Sequence, residues 1–174
     1  MCNLSLPCRL RAVRTLLCAV MLFLLAGGCG HKTVLPPVAA GGDSVLPAQG
    51  QRHRLAVVRT AQALVGVPYR WGGSSPQQGF DCSGLVWWVM RHNGIAVPRM
   101  TDGQAQTGTA VAPAQAAAGD IAVFRIGYGG LHTAVISGSG TMVHSPKSGS
   151  TVREESYLSR YWLPRLVTVR RILP

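Results

Sequence analysis

Paired cysteines, a clustered basic stripe, an apolar run of bilayer length and an internal repeat are all missing from these 174 residues. The cysteines stand at positions 2, 8, 18, 29 and 82, with none of the close pairs that hold structural zinc. Acidic residues are few, six against seventeen Lys and Arg, for a formal charge of +11. Such a balance invites nucleic acid as a partner, but arginines such as Arg70, Arg99 and Arg125 are scattered, which argues against it. The longest apolar run, Leu16 to Ala26, falls short of the ~20 residues that cross a bilayer.

What is present at the start is a leader pattern. Arg9, Arg11 and Arg14 precede the apolar run, and small residues end it, so residues 1–28 read as a signal peptide. Leu25-Ala26-Gly27-Gly28-Cys29 resembles a bacterial lipobox, with Ala26 where leucine is commoner. That resemblance implies a diacylglycerol-modified Cys29 as the new N-terminus, and Gly30 after it implies the periplasmic face of the outer membrane. Residues 29–51, with Lys32 to Gln51 rich in Pro, Ala and Gly, read as a lipidated start and a flexible tether. Three of the five cysteines fall inside the leader, and lipidation of Cys29 leaves Cys82 without a partner. An unpaired thiol in an oxidising compartment points to catalysis or to a buried, inert side chain. Setting aside Arg9, Arg11 and Arg14 leaves fourteen Lys and Arg against six Asp and Glu, a formal +8. In an exported chain, that charge suits the carboxylates of cell-wall peptide stems or an anionic membrane surface.

Residues 52–174 read as one domain. Leu55, Val58, Ala61 and Val65 have helical spacing, and Gly66 with Pro68 stops the helix, which spans about Arg52 to Val65. A Gly- and Ser-rich loop from Tyr69 to Pro76 leads to a second helix that buries Leu85, Trp88 and Val89 and ends at Asn93-Gly94. Asp81 is placed as its N-cap, which puts Cys82 in the first turn, where unpaired N–H groups favour a thiolate. Thr101 to Gly108 reads as a short helix or turn. Strands are expected at Ile121 to Arg125, Thr133 to Ser137, Thr141 to His144 and Leu166 to Ile172, separated by Gly- and Ser-rich turns. Helices first and strands afterwards give an α+β fold with an antiparallel sheet. Trp71, Trp87 and Trp88 are expected to pack, Asp120 to shape a turn, and His31, His53 and His92 to sit at the surface or at helix ends.

His132 opens one expected strand and His144 ends the next, so a hairpin brings them together. A nucleophilic thiol needs a histidine to exchange its proton and a second polar group to orient that histidine. Cys82, His132 and His144 supply the set. The same three residues are acceptable zinc ligands, but nothing else in the sequence recommends a metal, and no cofactor is expected.

These residues stand among ordered motifs: Tyr69-Arg70-Trp71-Gly72-Gly73, Phe80-Asp81-Cys82-Ser83-Gly84-Leu85-Val86, Pro98-Arg99 with Gln104, Gly119-Asp120-Ile121, His132 to Gly138, and Met142-Val143-His144-Ser145-Pro146 with Gly149. Together they resemble the NlpC-type cell-wall cysteine peptidases, which have a compact papain-like fold. The match runs from Arg54 to Leu173. The resemblance implies Cys82 as nucleophile, His132 as general base and then acid, and His144 as the orienting residue. It further implies Tyr69, Asp81 and Ser83 lining the pocket, with Tyr69 assisting the Cys82 N–H at the oxyanion, and Arg99 meeting a substrate carboxylate. Thr133-Ala134 departs from the Val-Gly usual after the histidine. The activity implied is peptidoglycan endopeptidase, cutting either the D-alanyl or the γ-D-glutamyl bond to diaminopimelate. Acyl transfer on the same Cys/His core and non-catalytic murein binding are the alternatives, and an adaptor or regulatory protease is an open expectation for control.

Overall fold

The computed structural model describes residues 45–173. The leader, Cys29, His31 and the tether up to residue 44 lie outside them. Helix α1 spans Val45–Gln62. It therefore begins inside the expected tether, because a proline in the first helical turn, here Pro47, gives up only an N–H that has no helical acceptor. Among the described residues no helix is long and apolar enough to cross a membrane.

The buried face of α1 also differs from the expected stripe. On the helix Val57, Val58 and Ala61 are buried and Leu55 is exposed, while in the turn that follows Gln62 Leu64 is buried and Val65 exposed. The inner face is led by Arg54, whose guanidinium reaches Asp120 at 2.9 Å. A charged residue at the head of the stripe hid its period.

After α1 come the two-residue strands β1 (Ser74–Ser75) and β2 (Gly79–Phe80), which pair antiparallel. Helix α2 (Cys82–His92) and the single turn α3 (Thr101–Gln104) follow. The remaining chain forms β3 (Thr109–Val111), β4 (Ile121–Ile126), β5 (Gly130–Gly138), β6 (Thr141–His144), β7 (Arg153–Ser156) and β8 (Leu166–Arg171). They make one antiparallel sheet in the order β3-β8-β4-β5-β6-β7. The α+β class expected from the sequence is the one observed. The edge strands β3 and β7 were not expected.

Strand alternation divides the sheet into two faces. Ile121, Val123, Val135 and Val143 pack against Val57, Leu85, Val86 and Val89 of the helices. Ala122, Phe124, Ala134, Ile136 and Met142 point the other way and are covered by Tyr157 and Trp162. Asp120 does more than shape a turn. Wholly buried, it accepts the Ala117 N–H at 2.9 Å and pairs with Arg54 and with Arg171 at 2.8 Å, tying α1, the start of β4 and β8 together.

Candidate active site

Cys82 is the first residue of α2. Asp81, in extended conformation, caps the helix by accepting the Gly84 N–H through Oδ1 at 2.6 Å, a cap whose loss costs about 1 kcal/mol. Its other oxygen accepts the Gly72 N–H at 2.9 Å, which holds the preceding loop against the helix start. The approach is close enough to demand glycine: a Cβ on Gly84 would lie 2.0 Å from the Gly73 carbonyl oxygen.

Arg99 completes this wall. It forks onto Asp81 at 3.0 and 2.9 Å and donates to Ser83 Oγ at 2.9 Å and to the Gly72 and Gly73 carbonyls at 3.0 and 3.1 Å. Arg99 lines the cleft, so the sequence expectation that it meets a substrate carboxylate is joined by a structural task. Its guanidinium NH2 groups are committed to partners within the chain, and it clamps the loop that Asp81 also grips.

The expected hairpin does bring the two histidines together. Val135 pairs with Val143 across β5 and β6, which puts His132 and His144 on the same face as diagonal neighbours. His132 Nε2 lies 2.9 Å from His144 Nδ1, with the rings nearly perpendicular. Both side chains are buried. Burial, helped by the neighbouring imidazole, lowers His132 to about 3. Burial also lowers His144, to about 4, against the opposing pull of Glu155 and with the help of Arg153.

Cys82 and His132 line one cleft of about 690 Å³ with Tyr69, Asp81, Ser83 and Arg99. The half-buried thiol is reached by the backbone N–H groups of Thr133, Ser83 and Cys82 itself, which favour its anion. Burial outweighs them, with Asp81 adding to it, and the thiol is pushed up. Burial thus opposes the thiolate that the helix start favours. Burial, with the nearby Cys82 and Asp81, also raises the Tyr69 phenol.

Gln104 fixes the spacing between thiol and imidazole. Fully buried, it donates to the Ser83 carbonyl at 3.0 Å and the Pro98 carbonyl at 2.9 Å, and accepts the Thr133 hydroxyl at 2.8 Å. One side chain thereby joins the residue after Cys82 to the residue after His132. The Thr133 departure has this hydroxyl as its structural use.

Residues 66–171 match the NlpC/P60 family, more than half of the chain. The chain belongs to the NlpC/P60 family. It is 39% identical over 127 residues to probable endopeptidase Rv2190c of Mycobacterium tuberculosis, covering 73% of this chain but 30% of that protein. To probable endopeptidase NlpC of Escherichia coli it is 34% identical over 152 residues, covering 86% of this chain and 94% of that protein. The solved peptidoglycan hydrolase RipB of Mycobacterium tuberculosis superposes with a TM-score of 0.63 at 30% identity, covering 73% of this chain and 68% of that one. The chain thus spans under a third of the mycobacterial relative and nearly the whole length of the Escherichia coli one.

Within this NlpC/P60 domain, two residues of the site escaped sequence reasoning. Glu155 Oε1 lies 2.6 Å from His144 Nε2, out of line with a hydrogen on that nitrogen. It accepts the Trp162 indole N–H at 2.8 Å and contacts Arg153 at 3.3 Å. Burial pushes this carboxyl up, but Trp162, His144 and Arg153 together outweigh it and hold it below its ordinary value. Trp162 stacks on His132 at 5.0 Å and meets His144 edge-on at 5.2 Å. The available signal was a rare acid: Glu154 and Glu155 are two of only six Asp and Glu in the chain.

Among the described residues, no His, Cys, Asp and Glu side chains converge as a metal-binding group of three. His132 and His144 direct ring nitrogens at each other instead. The expected packing of Trp71 is corrected: it is 87% exposed on the rim of the cleft, because it lies on the loop outside both cores. Trp88 does pack, edge-on to Phe80 at 6.0 Å, with exposed His92 stacked on it at 4.7 Å. Trp87 lies half-buried under Arg91. His53 Nε2 donates to the Asn93 carbonyl at 2.8 Å, at the end of α2.

Proposed function

We propose that this chain is a peptidoglycan endopeptidase that hydrolyses an amide bond of the peptide stem or cross-link through a thioester on Cys82. The observation that carries the reading is a helix-start thiol in the same cleft as His132, whose far nitrogen is engaged by His144 at 2.9 Å. The thiol and imidazole rest neutral, so attack is general-base catalysed. As Sγ adds to the carbonyl carbon, the thiol proton passes to Nδ1 of His132, the nitrogen not facing His144. The oxyanion meets the Cys82 backbone N–H and the Tyr69 hydroxyl. Collapse breaks the C–N bond, and His132 returns the proton to the departing amine. A water then gives its proton to His132 and adds to the thioester. The free acid leaves, and the proton returns to sulfur.

Asp81, Ser83 and Arg99 form the wall against which the stem lies, and the basic character of the chain suits the stem's carboxylates. The two candidate bonds are D-alanyl and γ-D-glutamyl to diaminopimelate. A lipid on Cys29 would hold the domain at the periplasmic face of the outer membrane. Labelling with a fatty acid, retained by wild type and lost in Cys29→Ser, tests that anchor.

Mass spectrometry of defined cross-linked muropeptides incubated with the protein tests the activity. The masses name the bond, and a free acid product is expected. An acyl group transferred to another amine or hydroxyl contradicts hydrolysis in favour of acyl transfer. Intact substrate contradicts catalysis on these peptides and leaves binding.

A further inference from the structure

The bond between His132 and His144 has two possible directions, and only one is competent. If His144 Nδ1 donates, His132 Nε2 accepts, and a neutral His132 carries its hydrogen on Nδ1, with no lone pair for the Cys82 proton. If His132 Nε2 donates, its Nδ1 is bare, and the hydrogen of His144 sits on Nε2. Both directions keep the same 2.9 Å contact. The two rings by themselves therefore leave the base undefined.

We propose that Glu155 is the positioning residue that sets this direction, by requiring a hydrogen on His144 Nε2. Its Oε1 lies 2.6 Å from that nitrogen. A bare Nε2 would face a carboxylate oxygen lone pair to lone pair, whereas an N–H there is attracted even out of line. The oxygen is pinned in place: the Trp162 indole N–H holds it at 2.8 Å and Arg153 sits at 3.3 Å. Trp162 also fixes both ring planes, stacked on one imidazole and edge-on to the other. Glu155 thereby sets His144, His144 sets His132, and the Nδ1 of His132 is left open.

Glu155 never touches substrate in this arrangement. It acts through two rings, and the order of hydrogens runs from the carboxylate to the thiol. When His132 takes the thiol proton, the new imidazolium donates from Nε2 to His144 Nδ1, and no second proton moves. The role needs an acceptor more than a charge. In Glu155→Gln the Trp162 N–H retains the amide oxygen at the same point, so the conservative variant keeps the direction. In Glu155→Leu a hydrogen on His144 Nε2 loses its partner, and the bond reverses.

The inference rests on the peptidase reading for its kinetic consequence alone, and nitrogen NMR of the histidine-labelled full chain tests it without turnover. Wild type is expected to carry the hydrogens of both His132 and His144 on Nε2, and Glu155→Gln to match it. Glu155→Leu should move the His144 hydrogen to Nδ1 and lower kcat about tenfold at unchanged KM, the effect of one buried group losing its partner. Trp162→Phe, which keeps an aromatic ring and removes the pin, should mix the two directions if the leucine variant does not fold. A wild-type hydrogen on His132 Nδ1, or wild-type hydrogens in both Glu155→Leu and Trp162→Phe, would overturn the inference. Absent turnover in wild type would count against the proposed function, while the wild-type hydrogens still decide this one.

Discussion

The two faces of the sheet are built from the same strands and do different work. Toward the helices, Ile121, Val123, Val135 and Val143 meet the apolar sides of α1 and α2 in a core without histidines. On the other face, Phe124, Met142 and Trp162 pack around His132 and His144, whose rings contact each other, with the partly exposed Glu155 carboxylate against His144. One face makes the domain. The other sets the proton inventory of a site whose thiol comes from the helix side. Separating the two jobs lets a truncation in the helix core cost stability with little effect on the histidines.

The sharpest way to break that division is His132→Ala, which removes the base and should lower kcat by about 10²–10⁴ in muropeptide assays while circular dichroism is unchanged. Met90→Ala, at the far end of the helix core, should cost about 2–5 kcal/mol in denaturant unfolding and leave kcat of the folded protein near wild type. Gln104→Leu belongs to neither face alone, because it joins Ser83 to Thr133. Each of the carbonyls and the hydroxyl it serves loses a buried partner, so a stability loss of about 1–3 kcal/mol and a fall in kcat are expected together. A kcat unchanged by Gln104→Leu would show that the spacing of thiol and base is set elsewhere.

The remaining effect is one of pH. His132 and His144 bind protons in the unfolded chain below about 6.5 but, when folded, only near 3 and 4. The unfolded state therefore binds more protons between those limits, and stability falls as pH drops from about 6.5 toward 3. Each histidine contributes up to ~1.4 kcal/mol per pH unit. Unfolding midpoints across that range should flatten in His144→Gln and leave the Met90→Ala slope like wild type.

Legibility in the sequence followed the same division. Amphipathic helices, alternating strands and the Asp81 cap announce themselves because each is a local pattern, and Cys82, His132 and His144 stand in motifs whose order gives their neighbourhood. The far face left little trace. β7 reads Arg-Glu-Glu-Ser, an edge strand with no apolar alternation, so neither the strand nor Glu155 beneath His144 was visible. Trp162 lies in a turn, and its place over both imidazoles depends on how the chain folds back after β7. For Arg99 the motif marks a site residue, but not its bonds to Asp81 and two loop carbonyls, which depend on how the loop folds over the start of α2. Exposed Trp71 was misjudged by treating tryptophan as core. At the start of α2 the helix terminus that favours a thiolate is legible, but the burial that opposes it is not.

The most direct test is the pH dependence of Cys82 alkylation by a neutral electrophile, with the modified site read by mass. The account places a neutral thiol beside a neutral imidazole, so the rate should be low near neutrality and climb with a midpoint above the ~8.5 of an unperturbed thiol. A plateau of fast alkylation between about pH 5 and 7 would mean a resting thiolate and imidazolium, and would contradict the claim that burial keeps both partners uncharged until substrate arrives.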